Sequence, residues 1–532
     1  MSHVADFIFA DARIFTSDLS NPYAEAMAVK GNRITYVGNN EGAQEWRGEK
    51  TRVIDARGNT LTPGFIDSHF HLLWGAMWLG SAQLNSVRNL EELKEILQDF
   101  AAKNQTTLWV DGRGIKYSIV STRQELDAII SDRPIYINAY DGHTSWASTK
   151  ALKMAGVLYP GKEIEPNGII VRDENGLATG ELREKDAMST VSSLIPAPSD
   201  ARKRELLKMA IKQINATGIT SIHNMNGDME ELMTYAAFED TGDMTLRVYV
   251  PYWIKPETTE EMLAEAVEMS NIQGDYVRGG AVKFFMDGVW ESYTALTLEP
   301  YVDDPNAEPE GIYSAEHFAR MAALCDRMGL QIFVHCCGDG AVRRALDGYE
   351  AVQKTNGKRD SRHRVEHIEV IHPTDLPRFR ELGVIASMQT SHAPLSTETE
   401  DVWLARVGEQ RWPLSFAWRD IKNAGATLAL GSDWNVAPYD PLVNIHAALN
   451  RKKWSPTDPD QRLTLEECIL GYTRDAAYAE FQEHQKGQIK EGYLADIVLF
   501  SHDLFQLQPE DIRIAKTIMT MMDGKIVYEA DD

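Results

Sequence analysis

The sequence predicts an α/β fold: a parallel sheet, open or closed into a barrel, joined to a small β domain assembled from both ends of the chain. Three observations carry this. Apolar strand-like runs alternate with helix-like stretches through the middle, as in "GITSIHNM", "AVKFFMDG", "LQIFVHCCG", "HRVEHIEVI", "GVIASMQTS" and "ATLALGSDW", with "SAEHFARMAALCDRMG" and "DLPRFRELG" between them. Repeated β–α units of this kind build parallel sheets. Both ends of the chain instead alternate short β-like runs with turns. Many central runs also finish on a polar residue, at the strand end where barrel enzymes keep their chemistry.

In chain order, "DFIFADARIFT", "AEAMAVKGNRITYVGN" and "TRVIDARGNTLTP" open the sequence, and "GYLADIVLFS" and "TIMTMMDGKIVYEADD" close it. They predict one composite β domain from residues 1–62 and 480–532. The β–α region then spans 63–479 and begins at "PGFIDSHFH", where Pro63 and Gly64 make a turn before a short apolar strand. From about 83 to 217 the chain is too long for one β–α connection. That stretch holds strand-like "TLWVDGRG" and "PIYINAYDGH" and helix-like "LEELKEILQDFAAK", so it reads as an inserted α/β lobe.

Composition is that of a globular protein, 43% hydrophobic and 25% charged over 532 residues, ample for a large core. The formal charge of −25 argues against nucleic acid and anionic membranes as partners; it does not identify the small-molecule substrate, because an acidic surface is usually just solvation. The N-terminal "MSHVADFIFADARIFTSD" lacks a basic segment followed by a long apolar one, and no run of apolar residues is long enough to cross a bilayer. Cys325, Cys336, Cys337 and Cys468 form no CxxC pair and no disulfide framework. A reducing cytoplasm is the expected setting.

His69 and His71 lie two apart on the first strand of the β–α region, so their imidazoles point to one face. Two metal ligands need that aim; a chance pair of core histidines would also show it. Lys283, His335, His367 and Asp433 each stand at or near the end of a later apolar run. Each has an ordinary explanation: an ion pair for the lysine, satisfied core histidines, a helix cap for the aspartate. Taken together, His-x-His, His, His and Asp on successive strand ends make a nitrogen and oxygen ligand set suited to zinc or a similar divalent ion, with iron and manganese as alternatives.

"PGFIDSHFH", "VKFF", "VH", "EH" and "GSD", in this order, resemble the amidohydrolase superfamily. "DGRG", "YDGHTSWAS", "ATGELRE", "VKFFMDGVWESYTALTLEPY", "VHCCGDGAVRRALDGYE" and "HRVEHIEV" resemble its YtcJ-like branch, which includes N-substituted formamide deformylases. The resemblance implies a distorted (β/α)8 TIM barrel carrying a β-sandwich built from both termini, and a binuclear metal centre of His69, His71, Lys283, His335, His367 and Asp433. In it Lys283 would be carbamylated, His69, His71 and Asp433 would hold one ion, and His335 and His367 the other. Two zinc ions are the default. Glu181 in "GELRE" is a weaker bridging candidate, since its segment belongs to the lobe. The resemblance also implies attack of a metal-bound hydroxide on a carbonyl carbon, with Asp433 as general base. A homodimer is a common assembly in the family.

Around this set, Trp74, Trp78, Trp146, Trp290, Tyr293 and Trp434 are either core aromatics or an aromatic substrate pocket. Trp74, Trp290 and Trp434 are carried as substrate-binding candidates. His143 in "YDGHTSW" either orients a substrate carbonyl or bonds backbone. Arg113 in "DGRG" either binds a polar substrate group or pairs with an acid. His223 ends the next barrel run and is a pocket-lining candidate that the six-ligand set does not need. Cys336 and Cys337 read as small core residues rather than soft ligands. "HCCGDG" and "VWESYTA" depart from the family's usual small residues, so the pocket has its own shape and charge. The expected function is a metal-dependent hydrolase of a non-peptide carbon–nitrogen bond, an N-acyl or N-formyl amine. The rivals are a deaminase or an ester or lactone hydrolase on the same site, and a non-catalytic scaffold, which would be expected to have lost ligands.

Overall fold

The computed structural model describes residues 4–105, 107–139, 144–161, 168–397 and 402–531. Two compact units make it up: Met1–Leu72 with Ile211–Asp532, and Leu73–Ala210.

In the first unit, eight strands run parallel in chain order: β1 (Phe65–Phe70), β2 (Ile219–Asn224), β3 (Arg247–Trp253), β4 (Val277–Phe285), β5 (Gln331–Cys336), β6 (Arg364–His367), β7 (Ile385–Gln389) and β8 (Leu428–Gly431). Their residues are almost all buried, as parallel strands covered on both faces must be. The ring closes where the chain leaves β8. The Asp433 amide donates to the His69 carbonyl at 2.8 Å, and the His71 amide donates to the Trp434 carbonyl at 2.7 Å. Gly431 permits that approach, since a Cβ there would stand 2.6 Å from the His69 nitrogen. The parallel sheet is thus a closed barrel, the second of the two arrangements the β–α pattern allowed.

The termini build the sandwich. One sheet contains Phe7–Ala10, Ala26–Lys30, Arg33–Gly38 and Arg52–Asp55. In the other, Thr60–Pro63 pairs antiparallel with Ile497–Phe500, with Leu61 opposite Leu499, so both ends of the chain share one sheet. Phe9, Met27 and Ile34 from the first sheet meet Leu61, Ile497 and Met519 from the second in a common core.

The second unit is an α/β lobe around a six-stranded sheet. Ala82–Gln83, Val110–Ile115 and Ile135–Ala139 run parallel, and Thr144–Ala147, Ala178–Arg183 and Ile169–Arg172 continue it antiparallel. Its helix Leu90–Lys103 starts at Asn89, whose side chain accepts from the Glu92 amide at 2.9 Å.

Candidate metal centre

β1 delivers His69 and His71 to the carboxyl end of the barrel, both buried. Each ring is fixed through its Nδ1. His69 Nδ1 lies 2.7 Å from Glu366 Oε2. Arg364, two residues earlier on β6 and on the same face, holds that carboxylate with Nε at 2.8 Å and Nη2 at 3.1 Å. Arg364 also reaches His223 Nδ1 at 2.7 Å, Ser387 Oγ at 2.9 Å and the Ser68 carbonyl. His223 is therefore a buried acceptor for Arg364.

His71 Nδ1 lies 2.6 Å from Asn226 Oδ1. Asn226 donates to Glu231 at 3.0 Å, and Asn224 and Tyr235 donate to the same carboxyl at 2.8 and 2.6 Å. Glu231 and Tyr235 sit four apart on α1 (Met229–Asp240), so one helix face supplies both. With Nδ1 of each imidazole engaged, Nε2 keeps its lone pair.

Those two nitrogens converge on Asp433. Its Oδ1 lies 3.5 Å from His69 Nε2 and 3.2 Å from His71 Nε2. Donor atoms bound tetrahedrally at metal distances of about 2.0–2.2 Å stand roughly 3.3–3.6 Å apart, so this spacing suits a common ion. One donor atom each of His69, His367 and Asp433 also fall within 4.8 Å of one another. Asp433, His367 and Ile368 hold φ values of 61°, 70° and 49°, left-handed conformations that non-glycine residues adopt at a cost. His335 packs 4.4 Å from His367 between ring centres, and its Nε2 lies 3.1 Å from the Gly288 carbonyl, which leaves Nδ1 as its free donor.

Lys283 on β4 is fully buried, and its Nζ finds no hydrogen-bond partner among the described residues. Burial lowers its pKa to about 8, although Glu366 and Asp433 favour its charge. Burial, then the Lys283 charge, holds His335 down at about 4 and His69 well below its ordinary value. His367 is lowered by burial and by the His335 and His69 rings. All three imidazoles are thus neutral at pH 7, the form that ligates. Burial opposes the charge on Asp433, but the His69 and His71 rings hold its carboxyl below the usual range. Orphaned buried donors, neutral imidazoles and an ionised carboxylate fit a divalent metal.

Asp287, His335 and Cys337 form a second cluster within 4.8 Å. Asp287 accepts the backbone amides of Cys337, Gly338 and Leu296 at 3.1, 2.9 and 2.9 Å. Burial raises the Cys337 thiol well above its ordinary value. This cluster clamps two loops together, and Cys336 and Cys337 are small buried side chains.

The other candidates divide. Trp434 is buried against Phe70 and Tyr439, at 5.1 and 5.3 Å between ring centres. Trp290 has no exposed surface, and its indole donates to the Cys337 carbonyl at 3.1 Å. Its ring packs among the residues of its loop, against Tyr301 at 5.2 Å between ring centres. Tyr293 stands at φ 60° and donates to Asp303 at 3.1 Å. Trp74, Trp78, Arg113, Trp146 and Glu181 belong to the second unit. There Trp74 is exposed, Trp146 is buried, and Glu181 pairs with Arg183 at 2.6 Å. His143 lies outside the described residues.

Three residues at this site escaped the sequence reading. Glu366 and Asn226 carry no pattern of their own, because only the fold brings them behind His69 and His71. His392 had a signal, a polar residue just past the apolar run of β7. Its Nε2 is buried without a hydrogen-bond partner among the described residues, 3.8 Å from Asp433 Oδ2, and its ring lies nearly parallel to that of His367.

A family model described as "Amidohydrolase family" matches residues 52–528. The chain is 30% identical to the protein LONG AFTER FAR-RED 3 of Arabidopsis thaliana, over 99% of this chain and 92% of that one. It is 25% identical to the N-substituted formamide deformylase of Arthrobacter pascens, over 99% of each. Among solved structures, an uncharacterized metal-dependent hydrolase from Pyrococcus furiosus superposes with a TM-score of 0.75 at 25% identity, covering 95% of this chain and 99% of that one.

Proposed function

Because the chain belongs to the amidohydrolase family, we propose that this metal-dependent hydrolase of carbon–nitrogen bonds acts on an N-acyl or N-formyl amine. The observation that carries the reading is the convergence of His69 Nε2, His71 Nε2 and Asp433 Oδ1 beside the unpartnered Lys283 Nζ. The relationship to an N-substituted formamide deformylase supports the substrate class.

In this reading His69, His71 and Asp433 would hold one divalent ion and His335 and His367 a second, with zinc as the default. Metals so held would lower the pKa of water and polarise a carbonyl. Lys283, carbamylated, would offer them two oxygen donors. With its pKa near 8, its ammonium loses a proton far more readily than that of a surface lysine; the neutral amine then adds to carbon dioxide through a new C–N bond and releases a second proton to solvent, leaving an anionic carbamate. An ammonium at the same place would oppose bound dications.

Asp433 takes the proton of the attacking water and passes it to the departing amine nitrogen as the acyl carbon–nitrogen bond breaks. Its ionised state in a buried site suits it to accept that proton, and its amide, bonded to the His69 carbonyl, fixes its place.

Elemental analysis of the purified protein, density at Lys283, and a panel of N-formyl amines, N-acyl amines, esters and aminated heterocycles test the proposal. Two metals per chain, an extended Lys283 and hydrolysis of the amides are expected. Turnover only of the heterocycles would replace this reading with a deaminase, and only of the esters with an esterase. Absence of bound metal would refute the metal centre.

A further inference from the structure

The lobe holds a row of polar side chains that its own packing leaves partly unsatisfied. Arg113 stands opposite Asn138, and Asn138 opposite Ser145, on three adjacent strands of its sheet. Arg113 Nε and Asn138 Oδ1 are each buried without a hydrogen-bond partner among the described residues, and Ser145, next in the row, meets the hydroxyl of Tyr136. Buried polar atoms are nearly always satisfied, and two orphans side by side in one register row call for a partner. Each would cost free energy unless something enters to meet it.

Three further observations point to a ligand. Ala82–Gln83, Val110–Ile115 and Ile135–Ala139 are parallel, and Gln83, Arg113 and Asn138 lie toward their carboxyl ends, where open α/β sheets bind ligands. Burial deepens along the row, from exposed Gln83 through half-buried Arg113 and Asn138 to fully buried Ser145, so the row is open at one end. The Arg113 guanidinium lies over the Trp78 ring at 4.6 Å, which orients its fork.

We propose that this row is a binding site for a small carboxylate. A guanidinium pairs with a carboxylate through two parallel hydrogen bonds. Asn138 and Ser145 can each donate to its oxygens, the asparagine after an amide flip. The charge selects a monoanion. Arg113 is the single cation of the row, and Asp111, two residues earlier on the same face and bonded to Ser81, repels any larger negative charge. The site depends only on the lobe, so it stands or falls independently of the metal centre.

Calorimetric titration of the full-length protein with benzoate, in a carboxylate-free buffer, tests it, with benzamide and inorganic phosphate as comparison probes. Benzoate is expected to bind saturably at one site per chain and more tightly than either comparison probe. Arg113→Met should abolish that binding. Arg113→Lys, which keeps the charge and loses the fork, should weaken it roughly 10-fold, and Ser145→Ala by less. Equal benzoate binding by wild type and Arg113→Met would overturn the proposal. So would tighter binding of phosphate or benzamide, or no saturable benzoate binding by the wild type. Thermal melting of each variant separates loss of the site from loss of the fold, and Arg113→Lys carries the test if Arg113→Met melts early.

Discussion

Asp433 combines a left-handed backbone, a carboxylate aimed at two imidazoles, and a second oxygen turned toward His392. Its two oxygens do different work, which gives two expected outcomes. Asp433→Asn keeps size and one oxygen but cannot accept the proton, so turnover should fall roughly 10²–10⁴-fold, while metal analysis should show most of the metal retained. His392→Ala should lower activity or metal affinity roughly 10- to 100-fold, as loss of an outer support does; a variant unchanged in both would remove His392 from the site. His223 adds a pH effect. Its folded pKa of about 4 lies below the ordinary 6.5 because it is buried. As pH falls from 6.5 toward 4, the unfolded chain takes up a proton that the folded chain refuses, so stability falls. Asp67, Asp287 and Glu231, raised to about 7 chiefly by burial, act in the opposite sense over that range. The histidine effect therefore shows as a difference: denaturant titrations of wild type and His223→Asn, which keeps an acceptor for Arg364, should diverge in the variant's favour as pH falls. At this scale the metal-ligand candidates were legible because each ends an apolar run. Glu366 and Asn226 were not, because a supporting residue needs only to be near its ligand in space.

Among the elements, the seam between β1 and β8 matters most. Asp67 Oδ1 accepts the amides of both His69 and Ser432, at 3.1 and 3.0 Å, and so ties the two strands together behind the candidate metal ligands. Gly431 sits in that seam without room for a methyl group: an added Cβ would meet the His69 nitrogen at 2.6 Å and Asp67 Oδ1 at 2.8 Å. Gly431→Ala should destabilise the protein by about 1–3 kcal/mol and shift His69 enough to weaken metal retention, read by chemical denaturation and by metal loss to a chelator. The strands themselves were readable from their apolar runs. The seam was not, because its hydrogen bonds join residues more than 360 positions apart.

Across the first unit, the barrel is fastened to the C-terminal strands by buried charge. Arg247 on β3 reaches Asp496 at 2.7 and 3.1 Å and Asp523 at 3.1 Å, and the Tyr276 hydroxyl meets Asp523 at 2.8 Å. Removing one partner of such a buried pair strands the other. Arg247→Met should therefore cost about 3–5 kcal/mol, visible in a urea midpoint, with the metal ligands untouched. The pairing of Thr60–Pro63 with Ile497–Phe500 adds a second tie between the ends of the chain. The sequence placed β-like runs at both ends, but which strand lies beside which depends on contacts it does not display.

By itself the sequence determined the class of fold, the composite terminal domain and a set of metal-ligand candidates, because these rest on local periodicity and on residue type at strand ends. Tertiary structure alone decided the closure of the barrel, the carboxylate and amide behind His69 and His71, the presence of His392 beside Asp433, and the unsatisfied pair of Arg113 and Asn138 in the lobe. The physical reason is range. Hydrophobic period and turn chemistry act over a few residues, whereas a second partner for an imidazole, or a missing partner for a guanidinium, is a property of the space around it.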